Sequence, residues 1–204
     1  MEVEKIQQIE VSINSQIKNG ENLVNLCIKA PEAPPKRDPV AIICVLDISG
    51  SMDCEATQSG AESDGFTRLD LVKHSVNTII NTLENEDALG IVTFSNNARV
   101  DFNLAKMTES GRNNAMEVVS KMKTEGATNL WDGMHKGLEL SKHELCLTRN
   151  TFVVVLSDGE PNQHPPAGEW GAAMEYVHLN PLRCSMSMFG YGYNLDTNLL
   201  GALT

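Results

Sequence analysis

Residues Ala41-Ile42-Ile43-Cys44-Val45-Leu46 are six consecutive apolar positions, most of them β-favouring, and the run stops abruptly at Asp47. A strand apolar on both alternating faces has no side to offer to water, so it belongs in a sheet covered by helices above and below, the arrangement of parallel sheets. Beyond it, Asp47, Ser49 and Ser51 place oxygen-bearing side chains at alternate positions around Gly50. A loop leaving the strand can turn all three towards one point, and hard oxygen donors of this kind suit Mg²⁺ or a similar cation. The same residues also suit a plain polar turn, because Asp, Ser and Gly are turn formers.

The design recurs downstream. Leu89 to Phe94 is a second short apolar run, and Thr151-Phe152-Val153-Val154-Val155-Leu156 a third, which ends at Ser157-Asp158-Gly159. Helical patterns separate them. Thr67-Arg68-Leu69-Asp70 fits a capping box, and Leu69, Val72, Val76, Ile79, Ile80 and Leu83 follow at helical spacing, which predicts a helix from Arg68 to Glu84. Thr108 caps a helix carrying Met116, Val119 and Met122, closed by Glu125-Gly126. A further helix places Leu130, Met134 and Leu138 on one side, with Gly133 and Gly137 one turn apart. Paired glycines weaken a helix, so a close approach to the sheet is their expected reason. Glu169 to Leu179 reads as a helix, Cys184 to Phe189 as the last strand, and Thr197 to Leu200 as a short helix capped by Asp196. Asn96-Asn97 followed by Arg99-Val100-Asp101-Phe102 reads as a tight hairpin adding an antiparallel edge strand. The expected fold is therefore α/β: a doubly wound, Rossmann-like, mostly parallel sheet with one antiparallel edge strand and helices on both faces.

Two segments stand apart. Ile9, Val11, Ile13 and Ile17 alternate with polar residues, as do Val24, Leu26 and Ile28, with Asn19-Gly20 between them. This predicts an N-terminal β-hairpin with one buried face. Pro31, Pro34 and Pro35 then form a stiff connection, so 1–37 is expected as hairpin plus linker and 38–204 as the main domain. Asp53 to Phe66, with Asp53, Glu55, Glu62 and Asp64, reads as a solvated acidic insertion.

A length of 204 residues allows one well-cored domain with a small appendage. The net charge is −11 and no basic run occurs, which excludes nucleic acid and anionic membrane surfaces as expected partners. Met1-Glu2-Val3-Glu4-Lys5 does not open a signal peptide, and no apolar run reaches membrane-spanning length. Cys27, Cys44, Cys54, Cys146 and Cys184 form an odd set without close pairs, with Cys44 and Cys184 inside strands. A reducing, cytoplasmic setting is the expectation. The five histidines lack metal-ligand spacing and are expected to be solvated or hydrogen-bonded, while Trp131 and Trp170, which follow loops near the proposed crevice, are expected in the core, with a place on a partner surface as the alternative.

In a doubly wound sheet the functional crevice lies beyond the carboxyl ends of the strands, where strand order reverses. Asp47 and Asp158 each stand at such an end. If their strands are neighbours, two carboxylates face one crevice, and a cation relieves their repulsion. Ser49, Ser51 and Thr128 are candidate neutral donors, the other reading of Thr128 being an ordinary cap of the helix that follows it.

Asp47-Ile48-Ser49-Gly50-Ser51, then Gly126-Ala127-Thr128-Asn129, then Leu156-Ser157-Asp158-Gly159 together resemble a von Willebrand factor A domain with a metal-ion-dependent adhesion site. That pattern is Asp-x-Ser-x-Ser, a later Thr and a later Asp, and the resemblance runs from Pro39 to the C-terminus. It implies a metal set of Asp47, Ser49, Ser51, Thr128 and Asp158, with Ser49 and Ser51 direct ligands and the others direct or through water. It implies Mg²⁺, with Mn²⁺ or Ca²⁺ as substitutes, and a protein partner that supplies an Asp or Glu carboxylate to the open metal position. It further implies a non-enzymatic interaction module in a larger multidomain protein. Finer wording, including Met107-Thr108-Glu109-Ser110-Gly111-Arg112 and Gly190-Tyr191-Gly192, is similar to intracellular members that accompany RING, U-box or Hint modules. The family pattern carries a final strand and helix that this chain, ending at Leu199-Leu200-Gly201-Ala202-Leu203-Thr204, is expected to lack.

The alternative is Mg²⁺-dependent phosphoryl transfer of haloacid-dehalogenase type, with Asp47 as nucleophile and Asp158 holding the metal. Such enzymes place an acid two residues after the nucleophile, where this chain has Ser49, a poor general acid near neutral pH. A P-loop is excluded, since no Gly-x-x-x-x-Gly-Lys-Ser/Thr occurs.

Overall fold

A computed structural model describes residues 10–18, 21–29, 37–56, 65–158, 161–191 and 201, and the chain divides into two units, Met1–Arg37 and Asp38–Thr204. In the first, strands β1 (Glu10–Lys18) and β2 (Glu21–Lys29) pair antiparallel from Glu10↔Lys29 to Lys18↔Glu21. The Asn19-Gly20 turn and the Pro31, Pro34 and Pro35 connection lie outside the described residues. The register sets Val11 opposite Ile28 and Ile13 opposite Leu26, so the alternation does gather apolar residues on one face. That face is not buried as expected: Val11, Ile13, Val24, Leu26 and Ile28 are all exposed. A two-stranded ribbon is a single layer, and among the described residues of its unit no second layer covers it.

The second unit runs β3 (Val40–Asp47), α1 (Arg68–Thr82), β4 (Ala88–Phe94), β5 (Ala98–Lys106), α2 (Glu109–Lys121), α3 (Leu130–Leu140), β6 (Asn150–Ser157), α4 (Gly168–Leu179) and β7 (Cys184–Gly190). Its five-stranded sheet has the order β5-β4-β3-β6-β7. β3 is parallel to both β4 and β6, β7 is parallel to β6, and β5 is the antiparallel edge. The doubly wound α/β sheet expected from the alternating apolar runs is the observed architecture.

The unbroken apolar run of β3 follows from its place. Ala41, Ile43 and Val45 pack with Leu130, Met134 and Leu138 of α3 and Ala173 and Tyr176 of α4. Cys44 and Leu46 face the other way, against Leu69, Val72, Val76 and Ile80 of α1 and Ala115 and Val119 of α2. Burial pushes the Cys44 thiol up to about 12, so it behaves as a small apolar side chain. The helix ends are set by local chemistry. Thr67 and Asp70 close a reciprocal capping box on α1, and the Thr108 hydroxyl accepts from Gly111 N at 3.3 Å. The short helix expected at Thr197 to Leu200 lies outside the described residues.

At the far end of the sheet from the Asp47 crevice, buried Asp87 accepts from Val40 N at 2.9 Å and Glu84 N at 2.6 Å. Its own carbonyl takes Met107 N at 2.8 Å, so one residue pins the start of β3, the end of the α1 connection and the end of β5. Trp131 is partly buried beside His135 and Tyr176, whereas Trp170 is half exposed on the outer side of α4 and is not a core residue.

The paired glycines let α3 press onto the sheet. A Cβ on Gly137 would sit 2.5 Å from Val45 Cγ2, and one on Gly133 would sit 2.5 Å from Cδ1 of the fully buried Phe94. Replacing Gly by Ala inside a helix ordinarily stabilises by about 1 kcal/mol. Overpacking a core that cannot yield costs about 1–3 kcal/mol, so it outweighs that gain. Gly133→Ala is therefore expected to lower unfolding stability by about 1–2 kcal/mol, read as a shift of the urea midpoint. A stabilised variant would show that α3 has room to move away from Phe94.

Candidate functional site

The chain leaves β3 towards β4 on one side and returns to β6 on the other, so strand order reverses between β3 and β6. Both strands run in the same direction and end together, which brings Asp47 beside Ser157 and Asp158. Asp47 Oδ1 accepts from Ser49 N at 2.8 Å, and Oδ2 accepts from the Ser157 hydroxyl at 2.6 Å. The Ser49 and Ser51 hydroxyl oxygens are 3.1 Å apart. Ser49 precedes a short 3₁₀ turn, Gly50–Asp53, without making a side-chain capping bond to it. That hydroxyl therefore does not cap the turn, and its partner is the Ser51 hydroxyl.

The loop carrying Thr128 is stitched to this one through the backbone. Gly50 N donates to Gly126 O at 3.1 Å and Glu125 N to Ile48 O at 2.7 Å. Gly126 has φ +66, and a Cβ there would fall 2.9 Å from Asn96 Oδ1, which itself accepts from Ala127 N at 2.7 Å. Thr128 N donates to Asn162 Oδ1 at 2.8 Å, while Thr128 O accepts from Asn162 N at 3.1 Å and Gln163 N at 3.2 Å. Thr128 is buried and held between the Ser49-Gly50-Ser51 loop and the segment that follows β6. It is not the cap of α3: Asn129 is, accepting from Asp132 N at 3.2 Å.

The electrostatics are those of crowded acids. Asp47 is fully buried, and its carboxyl is raised from 3.8 to about 6, chiefly by desolvation. Hydrogen bonds from Ser157 and Ser49 pull it down, and the Asp158 charge pushes it up, so the two carboxylates sense each other. Asp158 is also buried and pairs with Arg68 Nη1 at 2.9 Å. Among the described residues no three His, Cys, Asp or Glu side chains gather into a metal-binding group. The donors at this crevice are carboxylates and hydroxyls, a set that fits a small hard cation such as Mg²⁺ and does not fit zinc.

The structure thus brings Asp47, Ser49, Ser51 and Asp158 to one crevice and fixes the Thr128 loop against it. Ser157, which the sequence marks only as the polar end of the third apolar run, is the buried last residue of β6 and a direct donor to Asp47. Arg68, read from sequence only as part of a capping box, reaches Asp158 as well, and Asn96 and Asn162 hold the Thr128 loop. No spacing rule flags these contacts, since their partners lie 31 to 110 positions away. Gly159 and Glu160 lie outside the described residues.

A family model described as the von Willebrand factor type A domain matches residues 42–160. Among curated proteins, the probable E3 ubiquitin-protein ligase WAVH2 of Arabidopsis thaliana is 26% identical over 156 residues, covering 70% of this chain and 20% of its own length. The inter-alpha-trypsin inhibitor heavy chain H3 of Homo sapiens is 26% identical over 198 residues, covering 92% and 20%. The chain spans about a fifth of the length of these relatives. Among solved structures, a von Willebrand factor type A protein from Catenulispora acidiphila superposes with a TM-score of 0.69 at 19% identity, covering 97% of this chain and 43% of that one. The SpRpn10 VWA domain gives 0.59 at 16% identity, covering 82% and 83%. These structural likenesses bear on the fold. Nothing in the comparisons supports the phosphoryl-transfer alternative.

The raised Asp47 carboxyl makes stability depend on pH. A group whose folded value lies above its unfolded value contributes stability below the unfolded value and loses it as pH rises through the folded one. The window here is 3.8 to about 6. A gap of roughly two pH units corresponds to about 3 kcal/mol at most. In chelator, Asp47→Asn keeps both hydrogen bonds, with the Ser157 hydroxyl now accepting. It is expected to be about 1–3 kcal/mol more stable than wild type at pH 7.5 and to converge with it near pH 4, by urea unfolding at both pH values. A variant no more stable at pH 7.5 would mean that Asp47 carries no desolvation cost.

Proposed function

Since the chain belongs to the von Willebrand factor type A family, we propose that residues 38–204 form a protein-interaction module without catalysis of its own, whose crevice holds Mg²⁺ and captures a carboxylate from a protein partner. The observation that carries this reading is the pairing of two buried acids, Asp47 and Asp158, beside the Ser49 and Ser51 hydroxyls at the strand-order reversal. Burying two acids side by side is costly unless positive charge accompanies them; Arg68 pairs with Asp158, and among the described residues Asp47 has no ion pair. Ser49 and Ser51 would hold the ion directly, and Asp47, Thr128 and Asp158 directly or through water. When bound, such an ion supplies a Lewis-acidic position that accepts one more anionic oxygen.

The chain's own residues do the rest. The 3₁₀ turn and the bond from Ser49 N to Asp47 keep the Ser49-Gly50-Ser51 loop folded back over the strand end. Asn162 and Asn96 keep the Thr128 loop against it. Ser157 spends its hydroxyl proton on Asp47 Oδ2, which leaves fewer lone pairs for water and orients the carboxylate. A locally cationic crevice also explains how a chain of net charge −11 would capture an acidic group. We place the module within a longer protein, as in curated relatives of which it matches about a fifth. Which proteins it joins would then follow from the residues around the crevice.

Calorimetry with Mg²⁺ and with Mn²⁺ should give one site on wild type and none on Asp47→Ala. At a hundredfold excess over the dissociation constant, wild-type stability should rise by about 2.7 kcal/mol, seen as a higher melting temperature that Asp47→Ala and Thr128→Ala lack. A partner captured on immobilised wild type should elute with chelator. Wild-type protein that takes up no cation would sink the proposal.

A further inference from the structure

Arg68 is an ill-placed cation by every local criterion. It is the first residue of α1, where the helix dipole disfavours positive charge. Its backbone is tied down, with Arg68 N donating to Cys54 O at 3.0 Å and the Thr67–Asp70 capping box beside it. Its side chain is 13% exposed, and Nε is buried without a hydrogen-bond partner among the described residues. A buried, unpaired guanidinium N–H is costly, and native structures seldom keep one without a reason. What offsets these costs is the charge-assisted bond from Nη1 to Asp158 Oδ2, at 2.9 Å.

That bond puts a fixed positive charge on one of the two carboxylates facing the crevice. A divalent ion at Asp47, Ser49, Ser51 and Asp158 would meet the guanidinium at the same carboxylate, and two cations sharing one buried carboxylate repel strongly. The guanidinium has an exit, because its side chain is partly exposed and its backbone anchor is independent of Asp158. Leaving would also free Nε to meet water. We propose that Arg68 is a tethered cation that competes with the divalent ion for Asp158, so that it sets the metal affinity of the crevice and swings out when metal enters. This inference rests on reading the crevice as a metal site.

The test titrates Mg²⁺ into wild type, Arg68→Gln and Arg68→Lys by calorimetry, with Lys121→Gln as a control. Lys121 lies on α2, exposed and paired with Glu117, so that variant makes the same net-charge change away from the crevice. Arg68→Gln is expected to bind Mg²⁺ about 10- to 100-fold tighter than wild type, Arg68→Lys to fall between them, and Lys121→Gln to match wild type. Equal affinity of Arg68→Gln and wild type overturns the role of Arg68 and leaves the metal reading intact. An equal gain in Lys121→Gln overturns it too, because net charge alone would then account for the effect. Uptake by neither wild type nor Arg68→Gln overturns the metal reading and this inference with it. Should Arg68→Gln not fold, the wild-type Arg68 Nε–H nuclear magnetic resonance signal decides. It should be protected from solvent exchange in chelator and lose that protection as Mg²⁺ binds. An unchanged signal on protein that binds Mg²⁺ rules the displacement out.

Discussion

β3 hydrogen-bonds to β4 along one edge and to β6 along the other, and helices cover both of its faces. Every other feature of the second unit answers to that position. Both faces must be apolar, which accounts for the uninterrupted run from Ala41 to Leu46. The chain must cross from one side of β3 to the other, which creates the reversal of strand order between β3 and β6. The first polar residue after the run, Asp47, then sits at the one place in the sheet where two parallel strands end with their following loops diverging. The crevice is thus a by-product of how a doubly covered central strand is connected.

The same burial that stabilises the core makes the crevice electrostatically demanding. Asp47 is enclosed by the strand ends, and desolvation raises its carboxyl to about 6 although Ser49 and Ser157 both donate to it. Asp158 is enclosed too and draws Arg68 across from the start of α1. The hydroxyls of Ser49, Ser51 and Ser157 and one guanidinium are assembled around two acids. The positive charge that the structure itself brings to these acids is the Arg68 guanidinium, at Asp158. The crevice is also coupled to the fold, since the loops that carry Ser49 and Thr128 are bonded to each other by Gly50 N and Gly126 O.

Legibility from sequence followed the range of the interactions. The strands, the helix caps at Thr67 and Thr108 and the glycine-lined face of α3 depend on residues a few positions apart, and their periodicity exposes them. The order of the three oxygen-rich motifs was readable for the same reason: each sits where an apolar or helical pattern breaks off. The hairpin of the first unit was half legible. Alternation placed Val11, Ile13, Val24, Leu26 and Ile28 on one face, but alternation carries no information about what covers that face, and the five are exposed. Thr128 was the residue that the sequence offered as the cap of α3, and the loop geometry gives that role to Asn129 instead.

By itself the sequence determined where the main strands and helices lie, that the central strand β3 is buried on both faces, and that Asp47 and Asp158 stand at strand ends. These are consequences of side-chain polarity repeating every two or about 3.6 residues. Only the tertiary structure decided which of those ends meet, and with what. Arg68 finds Asp158 at a separation of 90 positions, Ser157 finds Asp47 at 110, and Asp87 finds Val40 at 47. Pairings at such distances depend on strand order and register, which are set by the packing of the whole sheet. Asp47 and Ser51 could be read from the chain, but the guanidinium that shares their crevice could not.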